Sequence, residues 1–249
     1  MLPWEYAVPP VLYKYRPPER LDVLTDCRVR FSHRSAFEDD HELQPDYAIF
    51  GTESEIWRYA LSIGFPLMRN GLSAAEMVVA MATDPKAQKL GIEGMKNNVR
   101  ARDEVGIFCL TEDADCDQMW TEYAGNGTGF VVGFDTAHAG FERLKTPGRL
   151  GKVSYSDEPF GSALGSLFND DAIGSFFRKR MKYTFELEWR SIRFLHRLER
   201  CAGGVFLSSF DPASVREIIL RSTCAVETDL RQLVAADERY RHVNIIFQN

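Results

Sequence analysis

Residues 184–195, TFELEWRSIRFL, set Glu186, Glu188 and Arg190 at every second position of an otherwise apolar and aromatic run. No other stretch constrains the architecture as much, because its period decides between a charged face on a sheet and a wet helix. In a strand, successive side chains point to opposite faces. The three charges would then share one face, and Phe185, Leu187 and Trp189 the other. In a helix, Phe185, Trp189, Ile192 and Leu195 would form the apolar stripe, with Glu186 and Arg190 as an i, i+4 ion pair on the solvated side. Periodicity alone leaves both readings open.

The surrounding chain supplies the context. VLYKYR (11–16) reads as a strand closed by Pro17 and Pro18. RVRFS (28–32) reads as a second, with a short helix or turn in PERLDVLTD between them. Residues 53–64, 73–82 and 86–101 carry helical apolar spacing, the second opened by Ser73 as an N-cap. VGIFCL (105–110), GFVVGF (129–134) and GKVSY (151–155) read as strands, with a short helix over 116–123. A helix is expected over 164–182, and the end reads as strand VREIIL, helix 223–237 and strand HVNIIF. No Pro- or Gly-rich linker divides the chain. The expectation is one α+β domain over residues 1–249, with mixed and antiparallel sheets around a cleft and a helical block inserted at about 53–101.

Composition narrows the function classes. With 45% hydrophobic residues in 249, the chain can bury a substantial core. The first ten residues lack a basic start and an apolar core segment, and no apolar run reaches membrane-spanning length. A cytoplasmic protein with no membrane association is expected. The five cysteines are odd in number and widely spaced, which fits reduced thiols rather than a disulfide framework. A net charge of -6 has the wrong sign for indiscriminate nucleic-acid binding. The basic run FFRKRMK (176–182) reads first as a solvated helix end.

Several motifs point to ordinary structure. GNGTGF (125–130) has no following Lys and leads into a strand, so it is a glycine turn and not a phosphate loop. Trp120 and Tyr123, three apart on a short helix, read as core. The acidic run Glu38, Asp39, Asp40 and Glu42, taken with Glu186 and Glu188, raises a magnesium-dependent nuclease as one alternative, although a solvated loop explains it more simply. His33, His41, His138, His196 and His242 lack zinc-site spacing, so no metal site is expected. No G-x-S-x-G elbow is present.

LYKYR (12–16), VLTDCRVRFSHRSAF (23–37), QMWTEYAGNGTGFVVGFD (118–135), VSY (153–155) and FELEWRSI (185–192) occur in this order. Together they resemble a bacterial family catalogued as domain of unknown function 2971, over nearly the full chain. Two departures stand out. The family's F-N-D-P-F-[DE] segment reads FEDDHE at 37–42, and Tyr183 stands where a Trp is expected. More distantly, an early strand ending in Arg16, a second strand with Phe31-Ser32, and a late E-x-E resemble the Arg, Ser, Glu arrangement of ADP-ribosyltransferases. Ser32 lacks the usual Ser-Thr-Ser context.

That second resemblance implies two sheets parted around an NAD-holding cleft, with the E-x-E on a strand. It favours the strand reading of residues 185–192. It further implies NAD as substrate, a protein or nucleic-acid acceptor, and a role as a toxin or defence effector; NAD hydrolysis would share the first step. Glu188 would stabilise the charge that develops on the ribose, and Glu186 would orient or deprotonate the acceptor. Arg16 would grip the diphosphate, and Ser32, Phe37 and Tyr123 would complete the NAD-binding set. On this reading Arg16 and Ser32 lie beside Glu188 in one cleft, and Glu188 is partly exposed and dispensable for folding. The alternative from another class is a non-catalytic interaction module in which E-x-E-x-R forms a buried ion network.

Overall fold

The fold is taken from a computed structural model that describes residues 2–37, 47–49, 83–86, 89, 103–145, 148–158, 160–162 and 174–248. The chain divides into two compact units. The first comprises Met1–Phe37, Glu104–Tyr155 and Arg180–Asn249, and the second Glu38–Asp103 and Ser156–Lys179. The helical block expected at 53–101 falls in the second, outside the described residues except at 83–86 and 89. Among the described residues no helix is long and apolar enough to cross a membrane.

The strands, in chain order, begin with β1 (Val11–Arg16), β2 (Arg28–Phe31), β3 (Tyr47–Ile49), β4 (Val105–Thr111) and β5 (Phe130–Asp135). They continue with β6 (Arg149–Lys152), β7 (Ser154–Tyr155), β8 (Phe160–Ser162), β9 (Arg178–Lys179) and β10 (Glu188–Phe194). The last are β11 (Glu199–Arg200), β12 (Phe206–Ser209), β13 (Val215–Arg221) and β14 (Asn244–Gln248). The α-helices used below are α1 (Asp22–Thr25), α2 (Asp117–Tyr123), α3 (Glu142–Lys145) and α4 (Glu227–Ala236). Among the described residues the architecture is α+β, with several sheets and few helices. In the second unit β3 pairs with β8 in parallel.

The first unit is built on a seven-stranded sheet in the order β14-β13-β5-β1-β4-β10-β6. Its neighbours are antiparallel except β13 and β14. Both faces are covered, which is why β5 reads as a continuous apolar run rather than an alternation. Phe130, Val132 and Phe134 pack on one side with Leu12, Phe31, Phe108, Trp189 and Leu230. Val131 packs on the other with Tyr15, Trp120 and Ile219. Trp120 meets Tyr15 edge-on, ring centroids 5.3 Å apart.

The glycine turn forms as expected. α2 ends into Gly125, Asn126 and Gly127, all in the left-handed region at φ of 58°, 54° and 81°. Gly129 then brings the chain against β1 so closely that a Cβ there would lie 2.0 Å from the Arg16 carbonyl oxygen. Backbone cannot yield to that overlap as a side chain can. Gly129→Ala is therefore expected to cost about 3 kcal/mol or more, at the upper end of overpacking penalties. Thermal melting beside the unaltered protein checks it.

Three expectations are corrected. The strand expected at 185–192 starts only at Glu188, because Met181–Glu186 forms a 3-10 helix and Leu187 adopts a left-handed conformation (φ 39°, ψ 49°). The Leu187 carbonyl is nevertheless satisfied by the Glu112 N–H at 3.2 Å. Glu186 consequently lies off the strand, and Phe185 and Leu187 do not share a strand face with Trp189. Of the helix expected over 164–182, residues 164–173 lie outside the described residues and Gly174 is helical, but the rest is a 3-10 turn (Ser175–Phe177), β9 and the start of the next 3-10 helix, with Phe176 and Phe177 buried. The strand expected at 151–155 is broken into β6 and β7.

Candidate active site

β1 and β4 share a single register pair, Tyr13 with Thr111. Four residues earlier on β4, Ile107 exchanges both backbone hydrogen bonds with Ser32, at 2.8 and 2.9 Å. Past Tyr13, β1 therefore parts from β4 while still paired to β5, with Lys14 opposite Val132 and Arg16 opposite Phe130. Arg16, Ser32 and the β4 residues up to Cys109 border this opening in the sheet, while β10 pairs with the other edge of β4.

Alternation sorts the side chains. Glu188 is opposite Thr111 and Arg190 opposite Cys109, which puts these four on the Tyr13 face. Lys14 and Arg16 belong to the Leu12 face. The Lys14 and Arg16 positions and the Glu188 and Arg190 positions are thus on opposite faces of the sheet with β4 between their strands, and so Arg16 and Glu188 are not side-by-side neighbours on one surface.

Arg16 is the unusual group. Its side chain is buried, and Nε and Nη2 have no hydrogen-bond partner among the described residues. Burial, with the Arg20 charge added to it, pushes its pKa down to about 10. A guanidinium with two dehydrated donors unused costs free energy, since each unsatisfied buried polar group costs about 1–3 kcal/mol.

Lys14 extends the pattern. Burial pushes its amine down to about 8, and Nζ sits 5.7 Å from the centre of the Phe108 ring. The folded-state pKa is below that of a free lysine, so the charged amine is a penalty that persists below about pH 8 and is relieved as pH rises toward the free-lysine range. Lys14→Met is accordingly expected to stabilise at pH 7 by on the order of 1–3 kcal/mol. That advantage should shrink above pH 10, measured by denaturant unfolding of both proteins across the range.

The acidic pair is committed differently from expectation. Arg190, fully buried, donates from Nε to Glu188 Oε1 at 2.8 Å and from Nη2 to Oε2 at 3.0 Å. Glu188 is 3% exposed, which overturns its expected partial exposure: this two-pronged pair withdraws both charges together. The Glu188 N–H donates to the Tyr155 hydroxyl at 2.8 Å, tying the strand start down. Glu186 is also buried, and accepts a 2.8 Å hydrogen bond from the Tyr123 hydroxyl. Tyr123 is thus not core as expected from helical spacing, but a half-exposed residue on α2 whose hydroxyl orients Glu186.

Phe37 ends the 3-10 turn Arg34–Ala36 and is partly buried, and its N–H donates to the Arg34 carbonyl. Glu38, Asp39, Asp40 and Glu42 of the nuclease alternative lie outside the described residues. Among the described residues no group of three or more His, Cys, Asp or Glu is placed to hold a metal ion. Sequence reasoning passed over Lys14, Cys109, Tyr155 and Glu112, the last of which accepts from Trp189 Nε1 at 2.6 Å and Lys152 Nζ at 2.7 Å. Lys14 had a usable signal: in LYKYR it falls on the same strand face as Arg16, giving two cations beside an apolar Leu12.

Comparison with known proteins adds a likeness over part of the chain and no activity. A family model described as a protein of unknown function, DUF2971, matches residues 119–191, the span from α2 through the Glu188–Arg190 pair. No curated protein and no solved structure matches the chain. Over that span, the chain is similar to an uncharacterised family.

Proposed function

We propose that the chain is an ADP-ribosyltransferase-like enzyme that binds NAD at the opening between β1 and β4. The observation that carries this reading is Arg16: a buried guanidinium whose Nε and Nη2 lack partners. Those are the two donors that a phosphate or carboxylate would accept from together. A diphosphate fits such a donor pair. NAD would also supply a nicotinamide leaving group, whose departure places positive charge on the ribose. Of the two glutamates, Glu186 is held by a tyrosine hydroxyl and Glu188 by a guanidinium. Glu186 is therefore the candidate for the carboxylate nearer the chemistry. Glu188 fixes the strand start beside it.

A second reading, the non-catalytic interaction module, is favoured by one specific observation: Glu188 and Arg190 form a buried pair of the kind that serves structure. Incubation of the purified protein with NAD and cell lysate separates the two. The enzyme reading expects free nicotinamide to accumulate, and Glu186→Gln to reduce its release by about a hundredfold. Absence of nicotinamide release, with the fold intact, would leave the interaction module standing.

A further inference from the structure

Lys14 has no part in the proposal above, yet its surroundings resemble those of Arg16. The two residues share the Leu12 face of β1, about 6.6 Å apart by the strand rise. Both flank the opening where β1 leaves β4. Among the described residues the Lys14 amine makes no ion pair and no hydrogen bond; the Phe108 ring gives it only a partial partner at 5.7 Å. The charged and titratable groups that act most on Lys14 are Cys109, Arg16, Glu188 and Glu186, and those that act most on Arg16 are Arg20, Asp22, Cys109 and Arg30.

The nearby carboxylates are already engaged. Glu188 is taken up by Arg190, Glu186 by Tyr123, and Asp22 by Arg20 at 2.9 Å. Two neighbouring cations, Arg16 buried and Lys14 partly buried, are therefore left without a contacting counter-charge among the described residues, in a chain whose net charge is -6. Such an arrangement raises the free energy of the empty protein and falls when an anion arrives. One anionic centre can meet the guanidinium fork. The second cation, one strand repeat away, calls for a second anionic centre on the same ligand.

We propose that Lys14 and Arg16 together form a two-cation cradle for a diphosphate group, with Lys14 as a ligand-binding residue. This rests on the reading of Arg16 as the anchor of a dinucleotide and narrows the bound chemistry to two joined phosphates.

The test is calorimetric titration of inorganic pyrophosphate, orthophosphate and NAD into the unaltered protein and into Lys14→Met, Lys14→Arg and Arg16→Met. Circular dichroism verifies the fold of each. The unaltered protein is expected to bind pyrophosphate about tenfold or more tightly than orthophosphate. Lys14→Met should lose about tenfold or more in pyrophosphate affinity, while Lys14→Arg keeps most of it. Equal pyrophosphate affinity in Lys14→Met and the unaltered protein overturns the cradle, even where NAD still binds. If Lys14→Met does not fold, equal affinity for pyrophosphate and orthophosphate in the unaltered protein overturns it instead. Pyrophosphate binding that needs Lys14, without NAD binding, upholds the cradle and removes the NAD reading. No pyrophosphate binding at all overturns the cradle and leaves the NAD titration to decide the other reading.

Discussion

Glu188→Gln is expected to destabilise the protein by about 3–5 kcal/mol, because it leaves the Arg190 guanidinium fully buried without its charge partner. Both nitrogens of the fork lose ionic acceptors, and a neutral amide can accept through only one atom. For a chain of this length that corresponds to a fall in melting temperature of about 6–20 °C. Replacing both members, Glu188→Gln with Arg190→Met, should recover most of the loss, since paired removal leaves no buried charge behind. A single variant that melts like the unaltered protein would mean that the pair is solvated in solution. Glu188 would then be available for chemistry, and its structural assignment would fall.

The strands were legible wherever apolar runs were bounded by turn residues. VLYKYR, VGIFCL, GFVVGF and VREIIL all form strands of the main sheet, because each run is long enough to cross a core covered on both faces. The turn at 125–129 was legible for a different reason: glycines and Asn126 are the residues that tolerate left-handed backbone. The start of β10 was not legible. FELEW alternates as a strand should, but a left-handed Leu187 breaks the run, and a leucine gives no local warning of that conformation. Burial of Glu188 was hidden for a related reason. An E-x-R spacing on a strand face looks the same whether the pair is solvated or sealed, and only the packing of α2 and β4 decides. The opening itself arises from pairings distant in sequence, Tyr13 with Thr111 and Ser32 with Ile107, so no local pattern reports it.

Arg16→Met should separate stability from binding. Methionine keeps the apolar stem in place and removes two buried donors that lack partners, so the fold is expected to be unchanged or slightly more stable. Ligand affinity should move the other way, because the donors left unused in the empty protein are the ones a phosphate would take. Titration of NAD into the unaltered protein and into Arg16→Met, with melting curves recorded alongside, tests this most directly. The account predicts saturable binding to the unaltered protein, an affinity lower by about a hundredfold in Arg16→Met, and a melting temperature that does not fall. Equal NAD affinity in the two proteins, or no binding to the unaltered protein, would contradict it.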